Sequence, residues 1–172
     1  MHGKKRTVVA VIGGAREDDL AVLALAEHLG REIRRAGWDL ACGGMTGVMD
    51  AACRGFQSIE GTGIAIGILP TRDGQGANAH LDLVLSTGMG LARNAIVVQA
   101  GDAVVAVGGE SGTLSEIALA WQYGRQVVAL VPAGGFGAEL AGRALDRRRQ
   151  DTVRAAHSVD EAIALLRRIF SA

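Results

Sequence analysis

Residues 103–121, AVVAVGGESGTLSEIALAW, contain a complete strand–loop–helix unit. Ala103–Val107 is a short, uninterrupted apolar run, which is typical of a strand covered on both faces of a parallel sheet. Gly108 and Gly109 end the run. The apolar residues that follow recur at three- and four-residue spacing as far as Trp121, which predicts an amphipathic helix.

The same unit recurs along the chain. A helical apolar pattern runs from Leu20 to Ala36, and Ser158 with Glu161 predicts a capping box at the start of a last helix. Strands that alternate with helices form right-handed βαβ units. The sequence therefore predicts an α/β fold, a doubly wound, mostly parallel sheet of about six to seven strands with helices on both faces. The other predicted strands are Thr7–Ile12, Trp38–Cys42, Gly63–Leu69, Leu81–Leu85 and Val127–Val131.

Composition excludes several classes of protein. The chain is 49% apolar, which argues against disorder, and its 18 basic and 18 acidic residues give a net charge of +0, which argues against nucleic acid as a partner. No Pro-rich or Ser-rich linker divides the chain, so we expect residues 1–172 to form a single domain. No apolar run is long enough for a secretory signal or a membrane span, so we expect a cytoplasmic protein that does not interact with membranes.

Cysteine and histidine usage gives no sign of a metal centre. Cys42 and Cys53 are too few for a disulfide framework or a four-thiolate zinc site, and we expect both to be small buried residues. The four histidines are scattered, so no catalytic metal is predicted.

Glycine is over-represented, with 25 glycines in 172 residues, about twice the average usage of roughly 7%. Three pairs, Gly13-Gly14, Gly43-Gly44 and Gly108-Gly109, each follow a predicted strand and precede a helix. In an open α/β sheet those positions are the carboxyl ends of the strands, where ligands bind. The glycine pairs therefore indicate a ligand site at one edge of the sheet.

Two of these loops share the pattern G-G-x-x-G-x-(Met/Leu): residues 43–49 (the 43–49 loop) and residues 108–114 (the 108–114 loop). Glycine allows close backbone approach, and free N–H groups at a helix start favour an anion such as phosphate. The pattern predicts two anionic groups, one at each loop, or one phosphate held between them. The alternative is two tight turns without a ligand. The predicted contacts add Thr46 and Gly47 in the first loop, and Ser111 and Gly112 in the second.

Nucleotide motifs of other families are absent. The chain lacks G-x-x-x-x-G-K-(S/T), which excludes a P-loop NTPase. The loop after the first strand, residues 12–15, lacks G-x-G-x-x-G, and the second strand ends in Cys42 instead of the acid that holds a ribose hydroxyl. We therefore expect no NAD.

Three charged side chains near these loops have two interpretations each. Thr113-x-x-Glu116 fits a capping box, and it equally places a carboxylate one turn from the anion site, where it could hold sugar hydroxyls or stabilise an oxocarbenium ion. Arg93 is an isolated cation in an apolar helix, so it either pairs with Glu116 or a ligand phosphate, or extends to the surface. Glu110 would weaken phosphate binding unless its carboxylate points away.

Residues 108–116, GGESGTLSE, resemble the signature P-G-G-x-G-T-x-x-E of the LONELY GUY superfamily, long mislabelled as lysine decarboxylases. The early IGG and the segments CGGMTGVMDAACRG and TGMGLARN extend the resemblance over residues 7–131. It implies a Rossmann-like fold and a homo-oligomer, a dimer or tetramer. It also implies a phosphoribohydrolase that cleaves cytokinin nucleoside 5′-monophosphates with Arg93 and Glu116, and holds phosphate at Gly112 and Thr113. It does not imply a lysine decarboxylase, so no PLP is expected.

The chain departs from the enzyme signature at three positions: Gly108 replaces Pro, Glu110 replaces Gly, and Asn94 replaces Lys. The patterns VGGxxGTLSEIALA and TGxGxxRN are more similar to a sister branch, the molybdenum cofactor carrier-like proteins, which bind a pterin cofactor by its phosphate. Our first hypothesis is therefore a carrier of a phosphorylated heterocycle, with molybdenum cofactor as the best ligand. The alternatives are a phosphoribohydrolase and a nucleotide sensor, so catalysis stays an open question. The predicted ligand-binding residues are Gly13, Gly14, Gly43, Gly44, Thr46, Gly47, Arg93, Asn94, Gly108, Gly109, Ser111, Gly112, Thr113 and Glu116.

Overall fold

The computed structural model describes residues 6–171, which contain a seven-stranded sheet in the order β4-β3-β2-β1-β5-β6-β7. All six strand pairs are parallel. The predicted fold class is confirmed, as are all six predicted strands to within two residues at each end. The strands are β1 (Val8–Gly13), β2 (Asp39–Cys42), β3 (Ala65–Leu69), β4 (Leu83–Ser86), β5 (Ala103–Val107), β6 (Gln126–Leu130) and β7 (Arg154–Ala156).

Helices cover both faces of the sheet, because each crossover between parallel strands returns along one face. The three helices predicted from apolar spacing are α1, α4 and α6, and all three are present. The helices are α1 (Leu20–Arg35), α2 (Val48–Gln57), α3 (Asn94–Ala100), α4 (Ser111–Gln122), α5 (Gly135–Leu140) and α6 (Val159–Phe170), with 3₁₀ turns at Gly90–Arg93 and Val131–Ala133.

Alternate residues of β1 divide the core into two layers. Val9 and Val11 pack with apolar residues of α1, α2 and α6 on one face. Ala10 and Ile12 pack with α3 and α4 on the other face. This alternation explains why β1 is apolar throughout: both of its faces are buried.

Side chains cap the starts of two helices, and the predictions for Ser158 and for the two cysteines are confirmed. The side chain of Asp19 caps α1 by accepting from the N–H of Val22 at 3.1 Å. Ser158 accepts from the N–H of Glu161 at 3.1 Å, as a capping box requires. Cys42 and Cys53 are free and buried.

Not every glycine serves a loop. Gly30 of α1 and Gly55 of α2 lie where the two helix backbones touch: a Cβ at Gly30 would be 1.9 Å from the carbonyl oxygen of Ala52, and one at Gly55 would be 1.9 Å from that of Glu27. Part of the glycine excess therefore serves helix packing.

The strand order reverses between β1 and β5, because β2 to β4 lie on one side of β1 and β5 to β7 on the other. At such a point the loops after the two strands diverge and leave a crevice at the carboxyl edge. The fold thus places a crevice between Gly13-Gly14 and Gly108-Gly109. Every helix within residues 6–171 is too short or too polar to cross a bilayer.

Candidate functional site

A cleft of about 580 Å³ opens at this crevice, a volume typical of small-ligand sites. The loops after β1, β5 and β6 form its walls. Of the predicted site residues, Gly14, Gly108 and Gly109 line it. The complete lining is Gly14, Arg16, Asp18, Asp19, Leu20, Val22, Val48, Gly108, Gly109, Glu110, Ala133 and Gly135.

The 108–114 loop leaves the N-terminus of α4 open. Helix α4 begins at Ser111, and no side chain caps it. Within residues 6–171, no acceptor lies within hydrogen-bonding distance of the backbone N–H groups of Ser111, Gly112 and Thr113. A Cβ at Gly112 would have no atom within 4 Å. Three free donors at the positive end of a 12-residue helix form a site that an anion can occupy.

The 43–49 loop packs against the loop after β1. Gly47 precedes α2 with φ of +68°, and a Cβ there would lie 2.4 Å from the carbonyl oxygen of Gly14. The N–H of Val48 donates to that same oxygen at 3.0 Å. Thr46 donates its hydroxyl to the carbonyl oxygen of Ala15 at 3.0 Å. Two donors of this loop, the Val48 N–H and the Thr46 hydroxyl, therefore serve contacts with the loop after β1.

Further contacts hold the 43–49 loop from its other side. Asn78 donates its side-chain amide to the carbonyl oxygen of Met45 at 3.1 Å, and its backbone N–H to that of Gly44 at 2.9 Å. Strand β1 lies between β2 and β5, so at a spacing of about 4.8 Å per strand the two glycine loops start roughly 10 Å apart. That separation favours two separate contacts over one phosphate held between the loops.

Arg93 and Glu116 form a buried ion pair, with only 8% and 6% of each residue exposed. Nη1 of Arg93 lies 3.8 Å from Oε1 of Glu116 and donates to Oδ1 of Asn94. Nη2 donates to the carbonyl oxygen of Gly43 at 3.4 Å, whereas Nε is buried and has no partner within residues 6–171. The expected anionic partner of Arg93 is Glu116, and the surface interpretation of Arg93 is wrong.

Burial gives Glu116 an unusual protonation equilibrium. Removal of its carboxyl from water raises its pKa from 4.5 to about 7, against the opposing influence of the Arg93 guanidinium. Near neutral pH, the carboxyl is therefore divided between its acid and its carboxylate. A group of this kind can donate or accept a proton, and such groups are common at functional sites.

The capping-box interpretation of Thr113 is wrong. Helix α4 begins two residues earlier, at Ser111, because Glu110 is the extended residue before the first turn. Thr113 is instead buried beneath Gly109, where a Cβ would lie 2.3 Å from the threonine side chain. Thr113 and Glu116 thus lie one turn apart on the buried face of α4.

The predicted residues fall into two neighbouring groups. Gly14, Gly108 and Gly109 line the cleft, with the open start of α4 at its edge. Arg93, Asn94, Gly43 and Glu116 form the second group, which lies outside the cleft lining. Thr113 lies between the two groups on α4, beneath Gly109 and one turn before Glu116.

The sequence interpretation missed Arg16, a cation that lines the cleft. Nη1 of Arg16 lies 3.5 Å from Oε1 of Glu110, so the Glu110 carboxylate is directed toward Arg16. A cation three residues after the β1 strand was the available signal. The acidic run of Glu17, Asp18 and Asp19 beside it gave the segment the pattern of a solvated loop.

Within residues 6–171, no three His, Cys, Asp or Glu side chains lie close enough together to hold a metal ion.

The model of the SLOG cluster4 family matches residues 6–163 of the chain. An uncharacterized protein of Archaeoglobus fulgidus is 41% identical over 119 residues, which are 69% of this chain and 77% of that protein.

Solved structures with the same fold cover nearly the whole chain. The molybdenum cofactor binding protein of Rippkaea orientalis is 32% identical, with a TM-score of 0.85 over 98% of this chain and 99% of that one. The molybdenum cofactor carrier protein of Chlamydomonas reinhardtii is 32% identical, with a TM-score of 0.84 over 97% of this chain and 100% of that one. These structural neighbours are therefore molybdenum cofactor-binding proteins.

Proposed function

The chain belongs to the SLOG cluster4 family, and from that membership we propose that it is a carrier that binds molybdenum cofactor through its phosphate. The observation that carries the proposal is the open N-terminus of α4 at the edge of a 580 Å³ cleft. The neighbours from Rippkaea and Chlamydomonas, described as binding or carrying molybdenum cofactor, supply the ligand class.

The phosphate would accept hydrogen bonds from the free N–H groups of Ser111, Gly112 and Thr113. Each such bond to an anion is stronger than a bond between neutral groups, and the helix dipole adds to it. Gly108 and Gly109 allow the loop to take φ of +62° and +96° at the wall of the cleft. A protein of net charge +0 can bind an anion in this way, because local dipoles supply the attraction.

The heterocycle would occupy the cleft between the loops after β1, β5 and β6. Enclosure there lowers the access of water and oxidants to the ligand, and binding and release require no covalent step. In this proposal Gly13, Gly14, Gly43, Gly44, Thr46 and Gly47 shape the site through the packing of the loops after β1 and β2. The Arg93–Asn94–Glu116 group supports the buried face of α4.

We also propose that the carrier works in the cytoplasm as a homo-oligomer. Edge strand β4 exposes Leu83, Val84 and Leu85 by 39% to 44% of their surfaces, and Leu91 of the following 3₁₀ turn is 85% exposed. A run of apolar side chains on a sheet edge favours association with another surface. Light scattering after gel filtration gives the subunit number, and a monomer would contradict this part of the proposal.

Thermal unfolding in the presence of ligands tests the carrier function. A ligand that binds only the folded state raises stability by RT ln(1 + [L]/Kd). We expect anaerobically extracted molybdenum cofactor to raise Tm and to lose its activity more slowly in the presence of the protein. The Gly112→Val variant should show neither effect. Equal increases in Tm for wild type and Gly112→Val would contradict the placement of the phosphate at the start of α4.

A phosphoribohydrolase is the second candidate, and the buried Arg93–Glu116 pair with its carboxyl pKa of about 7 favours it. Glu116 would bond the ribose hydroxyls and stabilise an oxocarbenium-like state as the N-glycosidic bond breaks. Water then adds to the sugar carbon, and the base leaves with a proton. Ribose 5-phosphate released from AMP or prenylated AMP, and lost in Glu116→Gln, would support the enzyme. No release from either nucleotide would exclude it for these substrates.

A further inference from the structure

Arg16 is the one cation among the twelve residues that line the cleft. Its guanidinium is held on one edge by Asp18: Nε donates to Oδ1 at 2.9 Å and Nη2 donates to Oδ2 at 2.6 Å. This two-point contact keeps the guanidinium plane oriented at the rim of the cleft.

The remaining edge of the guanidinium is more loosely occupied. Nη1 lies 3.5 Å from Oε1 of Glu110, longer than an ordinary charge-assisted hydrogen bond, and the two side chains are 66% and 70% exposed. Exposed ion pairs of this kind contribute little to stability, so the Glu110 carboxylate can leave at small cost. Glu110 is also the residue directly before α4, so Arg16 lies beside the open helix start.

We propose that Arg16 is a ligand-contacting, specificity-determining residue, and that the ligand phosphate displaces Glu110 from it. This inference rests on the proposed function. A phosphate dianion can bond the free edge of Arg16 while it accepts from the helix N–H groups. Chloride and small carboxylates carry one charge and cannot make both sets of contacts as well. Arg16 therefore discriminates against monoanions, and Glu110 acts as an internal competitor that an anion must displace from it.

The competition predicts opposite effects for the two partners of the ion pair. Isothermal titration with inorganic phosphate and with AMP should show Glu110→Gln binding about two- to fivefold more tightly than wild type. Arg16→Gln should bind about tenfold more weakly or worse, because charge-assisted contacts are lost. Acetate cannot bond Arg16 and the helix start together as well as phosphate does, so it should lose less affinity in Arg16→Gln. Discrimination between phosphate and acetate should therefore fall in Arg16→Gln.

Asp73→Asn is the control for the change in net charge, because it removes an exposed carboxylate that does not contact Arg16. In the Arg16→Gln background, Glu110→Gln should improve affinity no more than Asp73→Asn does. If the gain from Glu110→Gln persists in that background, Glu110 repels anions in general and the displacement mechanism is wrong.

Side-chain ¹⁵N NMR separates this inference from the proposed function. Inorganic phosphate should shift the Arg16 Nε–Hε resonance of wild type, and should do so at lower concentration in Glu110→Gln. Such shifts in a protein that does not bind molybdenum cofactor would retain Arg16 as a phosphate contact and reject the carrier function. An unshifted Arg16 resonance in both proteins would overturn the inference even if the cofactor binds.

Discussion

The 43–49 loop and the 108–114 loop share one pattern and the same place after a strand, but the helix start is covered in the first and exposed in the second. In the first loop, Gly43, Gly44 and Gly47 are buried, and a neighbouring carbonyl accepts from the first helical N–H. In the second loop, Ser111 and Gly112 are exposed, and three helical N–H groups have no acceptor within residues 6–171. One glycine pattern thus serves a packed turn and an open helix start.

The residues after the glycines also differ in kind. Val48 and Ala51 in the first unit are buried and apolar, whereas the matching Thr113 and Glu116 in the second are buried and polar. Buried polar groups destabilise a fold unless they form hydrogen bonds or ion pairs. They are therefore retained mainly where they have a functional role. Glycines therefore mark the turn in both units, whereas polar residues on the buried helix face mark the candidate site.

The largest expected effect on stability is at Gly47, the third glycine of the 43–49 loop, which corresponds to Gly112 in the 108–114 loop. Gly47→Ala would require an L residue at φ +68° and a Cβ 2.4 Å from a backbone carbonyl oxygen. We expect a loss of about 3 kcal/mol or more in the free energy of unfolding, from backbone strain and overlap together. Urea denaturation measures this loss.

Gly112→Ala is the matched control, because its Cβ points into open space and its backbone is already helical. Alanine there should leave stability unchanged or raise it by up to about 1 kcal/mol. Equal losses in the two variants would show that the two loops are packed alike.

The free energy of unfolding should depend on pH through Glu116, whose matching residue in the first unit is the apolar Ala51. Its pKa is about 7 in the folded protein against an ordinary value of 4.5, so between these values the folded chain binds more protons than the unfolded chain. The free energy of unfolding should therefore fall as pH rises from 4.5 to 7, by roughly 3 kcal/mol from this group.

Glu116→Gln should remove that part of the pH dependence, and Glu139→Gln, which changes an exposed carboxylate, should not. Urea midpoints at several pH values between 4 and 8 measure it. Identical pH profiles for wild type and Glu116→Gln would mean that Glu116 is not shielded from water.

The smallest expected effect on stability is at Gly112, where valine adds a side chain in open space. We expect Gly112→Val to unfold within about 1 kcal/mol of wild type. Because Cβ bonds in a helix tilt toward its N-terminus, we expect the added side chain to stand over the free N–H groups. The thermal shift caused by molybdenum cofactor or phosphate should therefore disappear. A retained shift would place the phosphate elsewhere.

Local sequence patterns were sufficient for most of the fold. Strands such as Ala103–Val107 are continuous apolar runs, and α1 is an amphipathic helix capped by Asp19. Interactions among residues close in the chain are therefore enough to specify these elements. Strand β7 was not identified individually, because Arg154–Ala156 is three residues long and pairs only through its partner β6. A strand this short forms because β6 offers it a pairing edge, and its own three residues do not predict it.

The candidate site was predicted in part. The glycine pairs were correctly located at the carboxyl edge, and the partner of Arg93 proved to be Glu116. Arg16 was missed because its acidic neighbours resemble a solvated loop, and only the fold brings it to the rim of the cleft. The glycine excess was interpreted too narrowly, since Gly30 and Gly55 serve the contact between α1 and α2.

Local sequence patterns specify the parallel α/β architecture and the edge of the sheet that carries the glycine loops. These are consequences of periodicity and backbone freedom, which act over a few residues. Long-range packing, by contrast, sets which of the two loops is covered. The strand order places β1 between the two loops and brings Ala15 and Asn78 onto the first of them. Contacts between residues far apart in the chain cover the first loop and occupy the N–H of Val48, whereas Ser111 and Gly112 stay exposed. No local pattern contains that information.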